Sequence, residues 1–394
     1  MTIWVIEPHD PLIVRDGRPF GPDPSARATS LSFPFPSTTT GGVRTRAGLN
    51  ANGMFDENQI NQVKKIKVRG PLLVQLAQDG DNIEQWLAPT PSDALLLESE
   101  EPQKKGNAFC KSLVPLRLSG EAQTDLDTND NESLMLVGQV KPDPRKPMKE
   151  APHYWYWHTF QTWLVDPSRY DGTIMLLSDL GHSGPYREQR IHVSMDADKL
   201  TAKEGALFET SGLEFTSAGK DYGTRLSGAR RLALAVVVDE NQESNIRAGL
   251  ASLGGERRMV SWRKSESDLP QCPQELLTAI IKDKACRILL LTPACFEQGY
   301  RPRWLVEQRH GVQPNLQAIA IQRPQVVSGW DLENKRPKPT RRLAPSGTVL
   351  FLSLAGDDKA IEQWVKGIWM QCISDNEQDC NDGFGLAVLG SWSG

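Results

Sequence analysis

Residues 230–240 read RRLALAVVVDE, and Leu232–Val238 is the longest purely apolar run in the chain. It is far too short to span a bilayer, which takes about 20 residues. It shows neither the 3.6-residue period of a helix nor the alternation of a half-exposed strand. Such a segment forms a strand buried on both faces, with a neighbour on each side. The rest of the chain therefore has to supply those neighbours and two covering layers.

Several segments qualify. IWVIEPHDPLIVR (3–15) gives two strand-like stretches broken by Pro8 and Pro11. KKIKVRGPLLVQ (64–75) and EQWLAPTPSDALLL (84–97) read as strands, and 187–215 as two strands with a polar connection. Pro34 and Pro36 argue against an early helix start, Ser37–Thr40 offer N-cap oxygens and Gly53 can close the far end, which predicts a helix over about 39–50. Tyr154, Trp157, Phe160 and Trp163 fall on one face of an aromatic helix. CPQELLTAIIKDKACRILLLTPACF reads as helix then buried strand. A strand, a long basic loop and a strand follow. In DDKAIEQWVKGIWMQCI, Ile361, Trp364, Val365, Ile368, Trp369 and Cys372 make one apolar stripe, with Asp357 and Asp358 at the positive end of the helix. LAVLGSW is a terminal strand, and 99–133 an acidic insertion. Direct strand–strand connections mixed with crossovers predict the α+β class.

Hydrophobic residues make up 39% of the 394 and charged residues 24%, enough for a sizeable core and two or three domains. The start lacks a basic flank followed by an apolar core, so a signal peptide is not expected and the cytoplasm is. The six cysteines form no C-x-x-C pair, as suits free thiols. A net charge of −4 argues against a uniformly basic nucleic-acid binder, yet the charges are segregated. Residues 79–101 hold seven acids and no Lys or Arg, whereas 44–69 and 323–342 each hold six cations against two acids. Screening over about 8–10 Å makes such patches act locally, whether as polyanion grips or as solvated faces.

Most catalytic constellations fail on spacing. Gly383-x-Gly385-x-x-x-x-Gly390 is not the dinucleotide fingerprint, and no helix has room to follow it. There is no Walker lysine. GHSGPY puts Pro185 where a nucleophile elbow needs glycine. Asp357 and Asp358 cap a helix and do not sit in a hairpin, and His9–Asp10 lies between prolines, so no metal is expected at either. His182 and His192 flank Arg187 and Arg190; a histidine there can act as general base in metal-independent RNA cleavage, donate to phosphate, or simply pack.

IEPHDPLIVRDGRPFG, PFPSTTTGGVRTRAG, LGGERRMVSW (253–262), VSGWDLENKRPKPTRRLAPSGTVLFL (327–352) and GFGLAVLG together resemble the repeat-associated mysterious protein (RAMP) superfamily. Within it they are similar to the type III-B CRISPR (Cmr) subunit that caps the guide RNA's 5′ end. The resemblance implies two ferredoxin-like (RRM-like) domains with insertions, 1–255 (inserted around 99–215) and 256–394, and no catalytic role or cofactor. It implies as partners the 5′ tag of the crRNA, the large palm-domain subunit and neighbouring RAMP backbone subunits, with no membrane. The alternative within the superfamily is a metal-independent endoribonuclease that processes repeat RNA.

With RNA as ligand, several stretches become candidates. The amides of Gly383, Phe384 and Gly385 can line a phosphate, since glycine holds nothing away. Phe384 either stacks on a base or packs inward beneath Leu386, Val388 and Leu389, which is favoured. Ser37, Thr38, Thr39 and Thr40 open a helix whose amides attract phosphate, with Arg44 and Arg46 in its first turns; an ordinary cap is the alternative. Gly254–Gly255 before Arg257 and Arg258 are a cradle or a plain turn. Lys335, Arg336, Lys338, Arg341 and Arg342, in a segment stiffened by Pro337 and Pro339, are the strongest RNA-binding candidates.

Overall fold

The computed structural model describes residues 1–14, 30–78, 82–99, 106–116, 134–196, 198–218, 229–239, 246–331 and 336–393. By their contacts the residues gather into two compact units that interleave along the chain: 1–84, 185–267 and 326–342 in the first, 85–184, 268–325 and 343–394 in the second. The chain opens with β1 (Thr2–Pro8), α1 (Pro36–Ala47), the short α2 (Ile60–Val63), β2 (Val68–Leu76) and β3 (Ile83–Pro89), which carries it into the second unit. There it forms β4 (Ala94–Glu98), β5 (Asn107–Ser112), β6 (Val114–Leu116), β7 (Leu136–Gly138), β8 (Tyr154–Tyr156), α3 (Trp157–Val165), β9 (Thr173–Leu176), α4 (Leu177–Leu180) and β10 (Gly181–His182). It returns to the first unit through β11 (Tyr186–Met195), β12 (Ala202–Glu214), β13 (Thr216–Ala218), β14 (Ala229–Val238), β15 (Gly249–Leu253) and β16 (Arg258–Ser265). The second unit resumes with α5 (Gln274–Asp283), β17 (Ala285–Leu290) and β18 (Gln313–Ala320). A ribbon of β19 (Gln325–Val327), β20 (Trp330–Asp331), β21 (Arg336–Pro337) and β22 (Arg341–Leu343) intervenes. β23 (Val349–Ala355), α6 (Asp358–Ile368), β24 (Gln371–Cys372), α7 (Glu377–Asn381) and β25 (Leu386–Ser391) complete it. The class is α+β, with antiparallel sheets.

In the first unit β14 lies between β1 and β2, with Val5 opposite Ala235 and Val74 opposite Ala233, and β16 and β15 extend the sheet beyond β1. Every residue of Leu232–Val238 is buried, as the unbroken apolar run requires. Pairing of β16 with β1 is why the contacts do not divide the chain at 255/256: the strand just after that point completes the sheet that the N-terminus begins. α1 starts at Pro36, three residues earlier than predicted. Proline is well placed there, because its fixed φ suits the first turn and its missing N–H would have had no helical partner. Gly42 lets α1 lie close, since a Cβ would come 2.8 Å from Leu253 Cδ1 and 3.0 Å from Trp262.

In the second unit the sheet order is β18-β23-β17-β25-β24. α6 buries Ile361, Trp364, Val365 and Ile368, and Asp357 Oδ1 caps it by accepting from Ala360 N at 2.8 Å. The predicted aromatic helix begins as a strand: Tyr154–Tyr156 pair with β3 and only Trp157–Val165 are helical. β5 and β6 fall inside the stretch read as an acidic insertion, whose residues 100–105 and 117–133 lie outside those described.

One buried charge organises this unit. Arg287, on β17 and 1% exposed, forms an ion pair with Asp93, also 1% exposed. Its Nε donates to Ser391 O at 2.8 Å and its Nη2 to Trp163 O at 2.7 Å, while Trp163 Nε1 donates to Asp93 Oδ1 at 3.0 Å. Opposite Arg287 in register stands Gly390, where a Cβ would lie 2.8 Å from Nη2. Gly390 thus makes room for a guanidinium. Asp93→Ala should cost about 3–5 kcal/mol in denaturant unfolding, because it strands a buried cation. Asp93→Leu combined with Arg287→Met should recover much of that loss.

None of the six cysteines is paired in a disulfide. Burial pushes the Cys110 thiol up to about 12 and those of Cys272 and Cys380 up to about 11, and Cys286 is raised by burial as well. Native protein at pH 8 should therefore alkylate much more slowly at these four positions than unfolded protein, as peptide mass mapping would record.

Candidate nucleic-acid interface

The first unit projects a long hairpin, β11 with β12, whose root is fastened by backbone contacts to the segment after β1. Leu12 and Leu213 exchange N–H···O bonds of 2.8 and 2.9 Å, and Gly255 N donates to Ile13 O at 2.7 Å. Gly254 has φ +72°, and a Cβ on it would meet Ile13 O at 2.5 Å. The glycine pair of LGGERR therefore answers a close approach of main chain to main chain, not a phosphate cradle. The next two residues, Glu256 and Arg257, also sit in the left-handed region (φ 56° and 51°), a turn that costs about 1–2 kcal/mol per non-glycine residue. It leaves Arg257 exposed.

Beside this turn is a shallow depression where Pro11 and Ile13 meet Arg190, Thr210, Gly212 and Arg258. Arg190 Nε is held by Glu188 at 2.8 Å and Arg258 Nη2 by Glu256 at 3.1 Å, which aims both guanidinium groups without burying them. Arg190 is half exposed, and Arg258 is less so. Arg187 Nη2 donates to Ser30 O at 2.9 Å, and His192 Nε2 meets Thr210 Oγ1 at 2.8 Å. Sequence reasoning found the arginines but missed Pro11, Glu188, Thr210 and Gly212, which become neighbours only through the hairpin's register.

The basic loop is a ribbon. Trp330 pairs with Pro337 and Asp331 with Arg336, Lys338 N donates to Gly329 O at 2.7 Å, and Ser328 Oγ donates to Lys338 O at 3.1 Å. Arg336, Lys338 and Arg342 are exposed and Arg341 is half-buried; Lys335 lies outside the described residues.

Other candidates turn inward. Arg46 is 8% exposed; its guanidinium donates to Arg247 O and Leu250 O and lies 5.4 Å from the Trp262 ring centroid, and burial lowers its pKa. Arg44 Nη2 donates to Ile66 O at 3.1 Å. Thr39 and Thr40 are buried, Thr39 Oγ1 donates to Pro36 O at 3.1 Å, and the amide of Thr38 is taken by Phe35 O; Ser37 and Thr38 are half-buried and none of the four side chains caps the helix. The closing glycine loop turns inward as well. Gly383 N donates to Cys380 O, Phe384 N to Asp379 O and Gly385 N to Pro293 O, at 3.1, 3.0 and 2.8 Å, so no amide of the three is left for a phosphate. Phe384 is fully buried, and a Cβ on Gly385 would meet Ser374 N at 2.9 Å. His182 belongs to the second unit and His192 to the first, and His182 Nδ1 accepts from Gly184 N at 2.8 Å. Among the described residues, no group of three or more His, Cys, Asp or Glu is placed to hold a metal, and no helix is long and apolar enough to cross a membrane.

The described residues define an α+β protein whose first unit carries exposed arginines at the hairpin root and on the ribbon. The chain matches the family model described as CRISPR-associated protein (Cas_Cmr3) over residues 4–392, and it belongs to that family. Among solved structures it is similar to a chain of "Cryo-EM structure of the Type III-B Cmr-beta bound to cognate target RNA and AMPPnP, state 1". There the identity is 13%, with 93% of this chain and 88% of that one covered at a TM-score of 0.46. It is also similar to a chain of "Crystal structure of Csm3-Csm4 subcomplex in the type III-A CRISPR-Cas interference complex", at 12% identity, 91% and 94% coverage and a TM-score of 0.37. No curated protein sequence matches it significantly.

The inward and outward arginines should separate in stability measurements. Arg46→Ala is expected to cost about 1–3 kcal/mol, since it removes the guanidinium's hydrogen bonds to Arg247 O and Leu250 O and its packing over Trp262. Arg257→Ala should stay within about 0.5 kcal/mol of the parent.

Proposed function

We infer that this chain is a non-catalytic crRNA-binding subunit of a type III-B CRISPR effector ribonucleoprotein. In this reading its two units derive from ferredoxin-like domains, it anchors the repeat-derived 5′ tag, and it docks on the large palm-domain subunit beside RAMP backbone subunits. Family membership supports the assembly. The observation that carries the RNA role is the outward set of cations on the first unit: Arg190, Arg257 and Arg258 at the hairpin root, and Arg336, Lys338 and Arg342 on the ribbon. Carboxylates two residues away orient Arg190 and Arg258, and a planar guanidinium so held suits bidentate contact with phosphate. The ribbon's ladder and prolines lower the ordering cost of a grip on single-stranded RNA.

In this reading the histidines pack and orient: His182 Nδ1 accepts from Gly184 N and His192 Nε2 meets Thr210 Oγ1. Incubation of the protein with repeat RNA in EDTA should leave the RNA intact; cleavage lost in His192→Ala would reverse that assignment.

For RNA binding, the affinity of tag RNA should fall linearly with log salt concentration. Replacing Lys338, Arg341 and Arg342 together by Ala should weaken binding and flatten that slope by about 0.7 for each phosphate contact removed. An unchanged slope and affinity would remove the ribbon from the interface.

A further inference from the structure

Among the described residues, three arginines are buried: Arg46, Arg287 and Arg301. The guanidinium groups of the first two are met from within, Arg46 by the carbonyls of Arg247 and Leu250 and Arg287 by Asp93 with the carbonyls of Trp163 and Ser391. Arg301 is 8% exposed and has no hydrogen bond, ion pair or ring contact to any described residue. Yet none of its nitrogens is fully enclosed, so the guanidinium reaches the surface. It lies on the loop from β17 to β18, in the second unit, and that loop is pinned around it. Asp375 Oδ2 accepts from Glu297 N at 2.9 Å and Asp375 Oδ1 from Arg303 N at 2.7 Å, so one carboxylate draws the two ends of the loop together. Gly299, at φ +82°, donates its N–H to Phe296 O at 2.9 Å. Trp304 is buried and anchors the far side, with Nε1 donating to Ile373 O at 2.9 Å. The acids at the loop are already engaged, Asp375 with the two amides and Glu297 with Arg303 Nη1 at 3.3 Å. Neither is paired with Arg301.

We propose that Arg301 is the receptor for one carboxylate of a partner polypeptide, an Asp or Glu side chain that reaches the loop and forks onto the guanidinium. A cation that has lost most of its water and found no fixed acceptor is costly to the chain that carries it. An incoming carboxylate removes that cost and makes two parallel bonds to the planar fork. The pinned loop holds the guanidinium in place beforehand, which lowers the ordering cost of the contact. Charge favours a polypeptide over an RNA strand. Residues 295–303 and 374–382, joined through Asp375, hold five acids against Arg301 and Arg303. A single carboxylate on the guanidinium answers one charge with one charge, whereas a run of phosphates would carry its further charges past those acids. The proposal concerns the second unit alone and does not depend on the RNA reading, which rests on cations of the first.

The test uses the full chain and follows the Arg301 Nε–Hε signal by NMR, assigned through the backbone. The probes are the peptide acetyl-Gly-Glu-Gly-amide, its Gln counterpart and a short oligouridylate. The Glu peptide should move the signal saturably, and the other two should leave it in place. Arg301→Met keeps the length of the side chain and removes its charge. It should raise the denaturant midpoint of the isolated chain, where Asp93→Ala lowers it. A lowered midpoint, or a variant that does not fold, would mean that the chain itself depends on this guanidinium, and would overturn the proposal. So would a signal that no probe moves, or one that the Glu and Gln peptides move alike. A response to the oligouridylate as strong as the response to the Glu peptide would overturn it in favour of a phosphate site.

Discussion

Arg287 is a full charge in the middle of a hydrophobic sheet, and the second unit is arranged to satisfy it. Removing such an ion from water costs several kcal/mol unless a counter-charge and hydrogen-bond acceptors meet it. Here they come from the turn before β4, from the end of α3 and from the last residue of β25. Three segments far apart in sequence are thereby fixed to one side chain. Gly390 belongs to the same arrangement, because any side chain there would occupy the guanidinium's space. Loss of one partner is thus felt by helix, sheet and terminus together.

The same residue type does opposite work in the first unit. Arg46 and Arg44 spend their donors on main-chain carbonyls, tying α1 to the 246–250 and 63–66 segments. Arg190, Arg257 and Arg258 are held at the surface by short-range carboxylate partners or by a left-handed turn. Burial makes the difference. A guanidinium that has lost water must find fixed acceptors inside, whereas one that keeps water can exchange it for a polyanion's oxygens.

Much of the architecture was legible from local pattern. The unbroken run at 232–238 identified a central strand, the stripe of Ile361, Trp364, Val365 and Ile368 identified α6, and Asp357 was recognised as its cap. Less legible were elements whose pattern is cut by proline or polar residues. The ribbon at 325–343 looked like a loop because its strands are two or three residues long, and β5 was hidden in acidic surroundings.

From composition and periodicity alone, the chain determined its α+β class, its principal strands and helices, and the cations that a polyanion would seek. Which cations face outward, and what the glycines are for, was decided only by the tertiary structure. A glycine reads the same whether it admits a ligand, a neighbouring backbone or a buried side chain, and an arginine reads the same whether its donors meet water or carbonyls. At 254 the neighbour is the carbonyl of Ile13, at 385 the amide of Ser374 and at 390 the guanidinium of Arg287. Those partners lie between 11 and more than 200 positions away in sequence, and close packing in three dimensions is what brings them together.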